Sequence, residues 1–60
     1  MCESTAYTSD GKQIMEDVIS VKVEGEKILL ADILNRTKEF NGRIVEIDLD
    51  KHGIFIETVN

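Results

Sequence analysis

Proline and tryptophan are absent from this sixty-residue chain, cysteine and histidine occur once each, and the remaining aromatics are Tyr7, Phe40 and Phe55. One cysteine cannot close an internal disulfide, which excludes a bridge-stapled secreted scaffold and points to a reducing cytoplasm. A Cys2–Cys2 disulfide between two chains is read first as a product of exposure to air. No apolar run is long enough to cross a bilayer, and no charged-then-apolar leader precedes the domain. A single histidine leaves no pair at metal-ligand spacing and only one base for thiol catalysis, so His52 reads as a surface residue of a turn. Without proline, repeats or low-complexity tracts there is no visible linker, and residues 1–60 read as one domain.

Positive charge is also scarce. Seven Lys and Arg stand against twelve Asp and Glu, a net charge of −5, which opposes phosphate backbones and anionic lipid. So short a chain buries only about 60% of the surface its unfolded form exposes. Association of residual apolar faces is the natural remedy, and a homodimer is expected.

What is present is β-branched residues at spacing two, broken by glycines. Gly11, Gly25, Gly42 and Gly53 read as turn markers. Cys2–Thr8 reads as a first strand closed by Ser9-Asp10-Gly11, and Lys12–Val18 as its partner. Ile19, Val21 and Val23 alternate with Ser20, Lys22 and Glu24, a half-buried strand turning at Glu24-Gly25-Glu26. Lys27–Ala31 carries Ile28-Leu29-Leu30-Ala31, apolar on both faces, as a central or partner-covered strand would be. Asp32–Phe40 would suit a short helix, but one or two 3₁₀ turns fit the length better. In Arg43–Leu49 the expectation is Val45, Ile47 and Leu49 inward, with a hairpin at Asp50-Lys51-His52-Gly53 and a return over Ile54–Val59. The sum is an all-β domain of about six short antiparallel strands, closing as a small SH3-like or OB-like barrel.

The N-terminus concentrates the chemistry. If Met1 is retained, its amine, the ionised Cys2 amide nitrogen and the Cys2 thiolate form two fused five-membered rings, a planar N,N,S donor set. If Met1 is removed, Cys2 keeps an amine and a thiolate, and two chains would supply four donors. Both sets favour a square-planar ion, Ni(II) or Cu(II), over a tetrahedral one. Glu3 would add a weak oxygen ligand or orient a metal-bound group. Beside this stands the plain reading of Cys2 as a small hydrophobe. The other carboxylates, Glu16-Asp17, Glu24/Glu26 and Asp48/Asp50, lack the spacing of a calcium loop and read as solvated faces. Small barrels also bind RNA through aromatics in a basic groove. Here the densest basic group is Arg36, Lys38 and Arg43 on a net acidic chain, which makes nucleic-acid or protein binding, with a structural Cys2, the second reading.

The opening Met1-Cys2, the stretch Val23-Glu24-Gly25-Glu26-Lys27-Ile28-Leu29-Leu30 and the ending Gly42-Arg43-Ile44-Val45-Glu46-Ile47-Asp48-Leu49 together resemble the CooT family. These are small proteins associated with nickel insertion into carbon monoxide dehydrogenase. The resemblance implies an SH3-like barrel that dimerises and holds one nickel ion per dimer through Cys2, with backbone groups of that terminus as further donors. Family members have also been labelled predicted RNA-binding proteins. Met-Cys also opens the HypC hydrogenase chaperones, but those usually continue with a small or apolar residue and an early proline. This chain continues Glu3-Ser4-Thr5, has no proline, and has no histidine-rich tail for storing nickel. The resulting expectation is a non-enzymatic, homodimeric nickel-binding protein serving a nickel enzyme such as carbon monoxide dehydrogenase.

Overall fold

Two strands of this chain are long enough to bend round a corner, and they set the architecture. The computed structural model describes residues 3–59. Its strands are β1 (Ser4–Thr8), β2 (Gln13–Glu24), β3 (Lys27–Asp32), β4 (Thr37–Asp48) and β5 (Gly53–Thr58). β2 pairs with β1 through its first half, up to Ser4↔Val18, and with β3 through its second half, Val18–Glu24. β4 does the same, pairing with β3 over Thr37–Asn41 and with β5 over Gly42–Asp48. Each long strand therefore belongs to two faces, and the five strands close into a barrel in simple sequence order. An odd number of strands that reverse direction at each step must close on a parallel pair. β1 and β5 are that pair, in register from Thr5↔Gly53 to Thr8↔Ile56.

The bends have residue-level causes. In β2 the register slips between Val18 and Ser20, and Asp17 adopts φ 55°, a left-handed conformation that an aspartate tolerates better than a β-branched residue. In β4 the corner is Gly42, where a side chain would collide with the backbone of β5. The expected six strands thus become five. Lys12–Val18 and Ile19–Glu24 fall in one bent strand, while of the stretch Asp32–Phe40 expected as 3₁₀ turns Asp32 ends β3 and Thr37–Phe40 open β4. Only Ile33-Leu34 turns there, and no 3₁₀ segment occurs among the described residues. Gly42, expected in a turn, lies inside a strand.

Ala6, Met15, Val18, Ile28, Leu30, Ile54 and Ile56 form the core, with Ile14, Val21, Phe40 and Ile44 packed against it. Period-two alternation delivers Ile28 and Leu30 from β3 and Ile54 and Ile56 from β5 to the same interior. In β4 the phase is opposite to expectation. Phe40, Gly42 and Ile44 face the core, and the register slips between Ile44 and Glu46. Val45, Ile47 and Leu49 are consequently 44%, 56% and 79% exposed, so their expected inward placement is corrected. The bulge re-aims the end of the strand, which alternation alone could not reveal.

Candidate functional site

Met1 and Cys2 lie outside the described residues; Glu3, the third candidate ligand, is where the described chain begins. Glu3 is half-buried and lines a groove of about 530 Å³ together with Ser4, Val18, Ile19, Ser20, Val21, Ile33 and Ile54. Among the described residues Val18 is the last of β2 paired to β1, while Ser20–Glu24 are paired to β3. Ile19 and Ile33, 57% and 50% exposed, give the groove an apolar wall that water covers poorly. Alternation flagged Ile19 and Val21 as one face, but Ile33 arrives through the turn after β3, a long-range consequence that carries no local signal.

That turn is held by a buried carboxylate. Asp32 is 2% exposed, and its Oδ1 accepts from the backbone N–H of Leu34 at 2.9 Å and of Arg36 at 2.8 Å, while Oδ2 accepts from Arg36 Nε at 2.7 Å. Burial pushes the Asp32 carboxyl up, but the Arg36 amide, the Arg36 side chain and the Leu34 amide together outweigh it and hold the group below its ordinary value of 3.8. Ile33 N–H donates to Asp17 O at 2.9 Å, tying the turn to the bend of β2. The arrangement fixes Ile33 beside the groove and presents Leu34 to solvent.

The three basic residues of the second reading are not gathered into one patch. Arg36 is committed to Asp32. Arg43 pairs with Glu57 across the β4–β5 ladder at 2.7 Å. Lys38 lies opposite core Leu30 and sends its ammonium to Ile14 O at 3.2 Å. Arg36 and Lys38 share a groove with Glu16, Asp17 and Asp32, where carboxylates outnumber cations. Tyr7 and Phe55 stack on each other, ring centroids 5.2 Å apart, which occupies one face of each ring.

His52 sits in the turn between β4 and β5 as expected, exposed, at φ 55°. Its carbonyl accepts the Thr5 N–H at 2.9 Å, so the turn is fastened to the start of β1. That proximity of the only histidine to the N-terminal strand is a product of parallel closure and is invisible in sequence separation. Among the described residues no helix is long and apolar enough to cross a membrane.

Comparison with known proteins gives a consistent picture. The chain is 52% identical over 58 residues to an uncharacterised protein of Methanothermobacter thermautotrophicus, a match that covers 97% of this chain and 91% of that one. It is 42% identical over 57 residues to one of Methanocaldococcus jannaschii, covering 95% and 98%. A crystal structure of a protein assigned to CooT from Carboxydothermus hydrogenoformans has the same fold, with a TM-score of 0.87 at 26% identity over 98% of this chain and all of that one. The model of the CO dehydrogenase accessory protein CooT matches residues 1–57, from the Met1-Cys2 opening to within β5. This chain therefore belongs to the CooT family of CO dehydrogenase accessory proteins.

Proposed function

We propose that this accessory protein, which is not an enzyme, binds Ni(II) through its Met1-Cys2 terminus as a homodimer and passes the metal to a nickel enzyme such as CO dehydrogenase. The observation that carries this reading is the extent of the family match, which starts at residue 1 and so takes in Met1 and Cys2. The donor set fits the ion. An amine, an amide nitrogen and a thiolate are strong donors suited to planar Ni(II). Among the described residues no three His, Cys, Asp or Glu side chains converge as ligands.

The barrel supplies the platform. The groove at Glu3, with exposed Ile19 and Ile33, is an apolar surface beside the residue bonded to Cys2. A second copy seated there would bring two N-termini to one seam, and an isologous contact needs only that the surface match itself. Because thiol and amine must lose protons to bind, affinity falls as pH falls.

The test is a nickel titration of freshly reduced protein, followed in the thiolate-to-metal absorbance region and paired with intact mass to establish whether Met1 is present. A saturating band that is lost in Cys2→Ala supports the site, and one metal per two chains supports a shared one. Equal binding by Cys2→Ala would refute the assignment.

A further inference from the structure

The second half of β4 is an open edge. β4 pairs with β3 up to Lys27↔Asn41 and with β5 from Gly42↔Thr58 onward, so among the described residues Arg43–Asp48 have β5 as a neighbour and no other strand. The side chains along this edge are apolar. Ile47 is opposite core residue Ile54 and shares its face, yet it is 56% exposed, because among the described residues no strand beyond it completes the core. Val45, which has no partner in the register, and Leu49 at the end of the strand are exposed as well. Leu29 makes the contrast, an exposed apolar residue on a strand that is paired on both sides.

Charge selects the occupant. Glu46 and Asp48 stand within the apolar row and Asp50 follows it; among the described residues none of the three has a salt-bridge partner, whereas Arg43 is already paired with Glu57 at 2.7 Å. The Asp50 and Lys51 amides both donate to Asp48 Oδ1 at 3.1 Å, which pins that carboxylate at the end of the edge. A second copy fits badly here. Two chains paired antiparallel about Ile47 would set Glu46 of each opposite Asp48 of the other, and like charges directly opposite are destabilising. The matching strand is one whose apolar side chains alternate with Lys or Arg, since its backbone would continue the ladder while its cations meet the carboxylates. We infer that the second half of β4 is a docking edge, at which an extended basic segment of a partner polypeptide adds as a strand beside Arg43–Asp48. The bulge at Val45 and the carboxylates blunt the edge against indiscriminate pairing and so leave it selective for that charge. The inference needs neither Met1 nor Cys2, and stands or falls apart from the nickel reading.

The test uses the full-length chain and a fluorescent synthetic peptide in which valine alternates with lysine, followed by anisotropy. Two further peptides are compared with it, one with glutamate in place of lysine and one N-methylated on alternate residues. The lysine peptide is expected to bind, more weakly as salt rises, and to slow amide hydrogen exchange within Arg43–Asp48. The glutamate peptide is expected not to bind, and the N-methylated one to bind at least about tenfold more weakly because it cannot complete the ladder. Ile47→Lys is expected to weaken the lysine peptide roughly tenfold, and so is Glu46→Lys, an exposed position whose change leaves the core untouched. Leu29→Lys adds the same charge on a fully paired strand and is expected to leave affinity within about twofold. Equal binding of the N-methylated peptide, or equal weakening by Leu29→Lys, would reduce the effect to diffuse charge attraction and overturn the inference. Absence of binding by the lysine peptide would overturn it too. So would a dimer that Ile47→Lys converts to monomer in sedimentation, since the edge would then belong to a second copy.

Discussion

Gly42→Ala is expected to leave the chain unfolded under conditions where the parent barrel is native. A Cβ at this position would stand 2.2 Å from the Glu57 carbonyl oxygen and 2.9 Å from Thr58 Cα. Both atoms belong to backbone, so no side chain can swing aside to make room. Gly42 is opposite Thr58 at the start of the β4–β5 ladder, its N–H donates to Glu26 O at 2.8 Å, and Val59 N–H donates to the neighbouring Asn41 O at 2.7 Å. Admitting a methyl group means prising β5 away at the corner where β4 passes from one face of the barrel to the other. Overpacking of this kind costs about 1–3 kcal/mol where neighbours can yield, and more where, as here, the neighbour is backbone. A domain of this length has only about 3–9 kcal/mol in total. Urea unfolding followed by far-ultraviolet circular dichroism decides the matter, with Gly25→Ala as the control. Gly25 has φ 60° and nothing within 4 Å, so an alanine there costs about 1 kcal/mol through backbone conformation alone. A Gly42→Ala midpoint as high as that of Gly25→Ala would show that the close approach is not what requires the glycine.

The same residue shows what could be read from sequence and what could not. A glycine signals either positive φ or a close approach of backbone, and the two look identical in a sequence. Gly11 and Gly25 are of the first kind, at φ 93° and 60°, and their turns fall where alternation stops. Gly42 is of the second kind, because the residue it meets comes sixteen positions later in the ladder Gly42↔Thr58 and leaves no local trace. The all-β class and the strands carrying Ile28, Leu30, Ile54 and Ile56 were legible because burial on one face imposes period two. The inward face of β4 was not. Val45, Ile47 and Leu49 alternate just as well as Phe40, Gly42 and Ile44, and only pairing with β5 selects between them. The candidate site divides in the same way. Met1, Cys2 and Glu3 stand out because the thiol is single and adjacent to an amine, whereas the groove at Glu3 and the fastening of His52 to Thr5 follow from barrel closure.

Asp32→Asn is expected to lower the thermal midpoint on the order of 10 °C and to flatten the acid limb of the stability curve. The carboxylate accepts three N–H bonds within one tight turn, and it does so while almost wholly shielded from water. Asparagine can keep the bonds from the Leu34 and Arg36 amides, but its own NH₂ would then confront Arg36 Nε, donor against donor. Asp32→Ala leaves all three donors to water and should be the more damaging change. The sign of the pH effect follows from the direction of the shift. The Asp32 carboxyl is held below 3.8 in the folded chain, so folding favours the ionised form. The stabilisation is fully present above the unfolded value, near pH 4 and higher, and is lost as pH falls through the folded value below it. Asp10 is also held low, chiefly by the Thr8 hydroxyl, and contributes to the same limb in parent and variant alike. The difference between the two curves therefore isolates Asp32. Parallel declines of parent and Asp32→Asn between pH 5 and about pH 2.5 would mean that the turn is held by its backbone bonds alone, from Asp32 N–H to Arg36 O and from Asn35 N–H to Asp32 O. Diverging declines would identify this one carboxylate as what holds the turn that sets Ile33 beside the groove at Glu3.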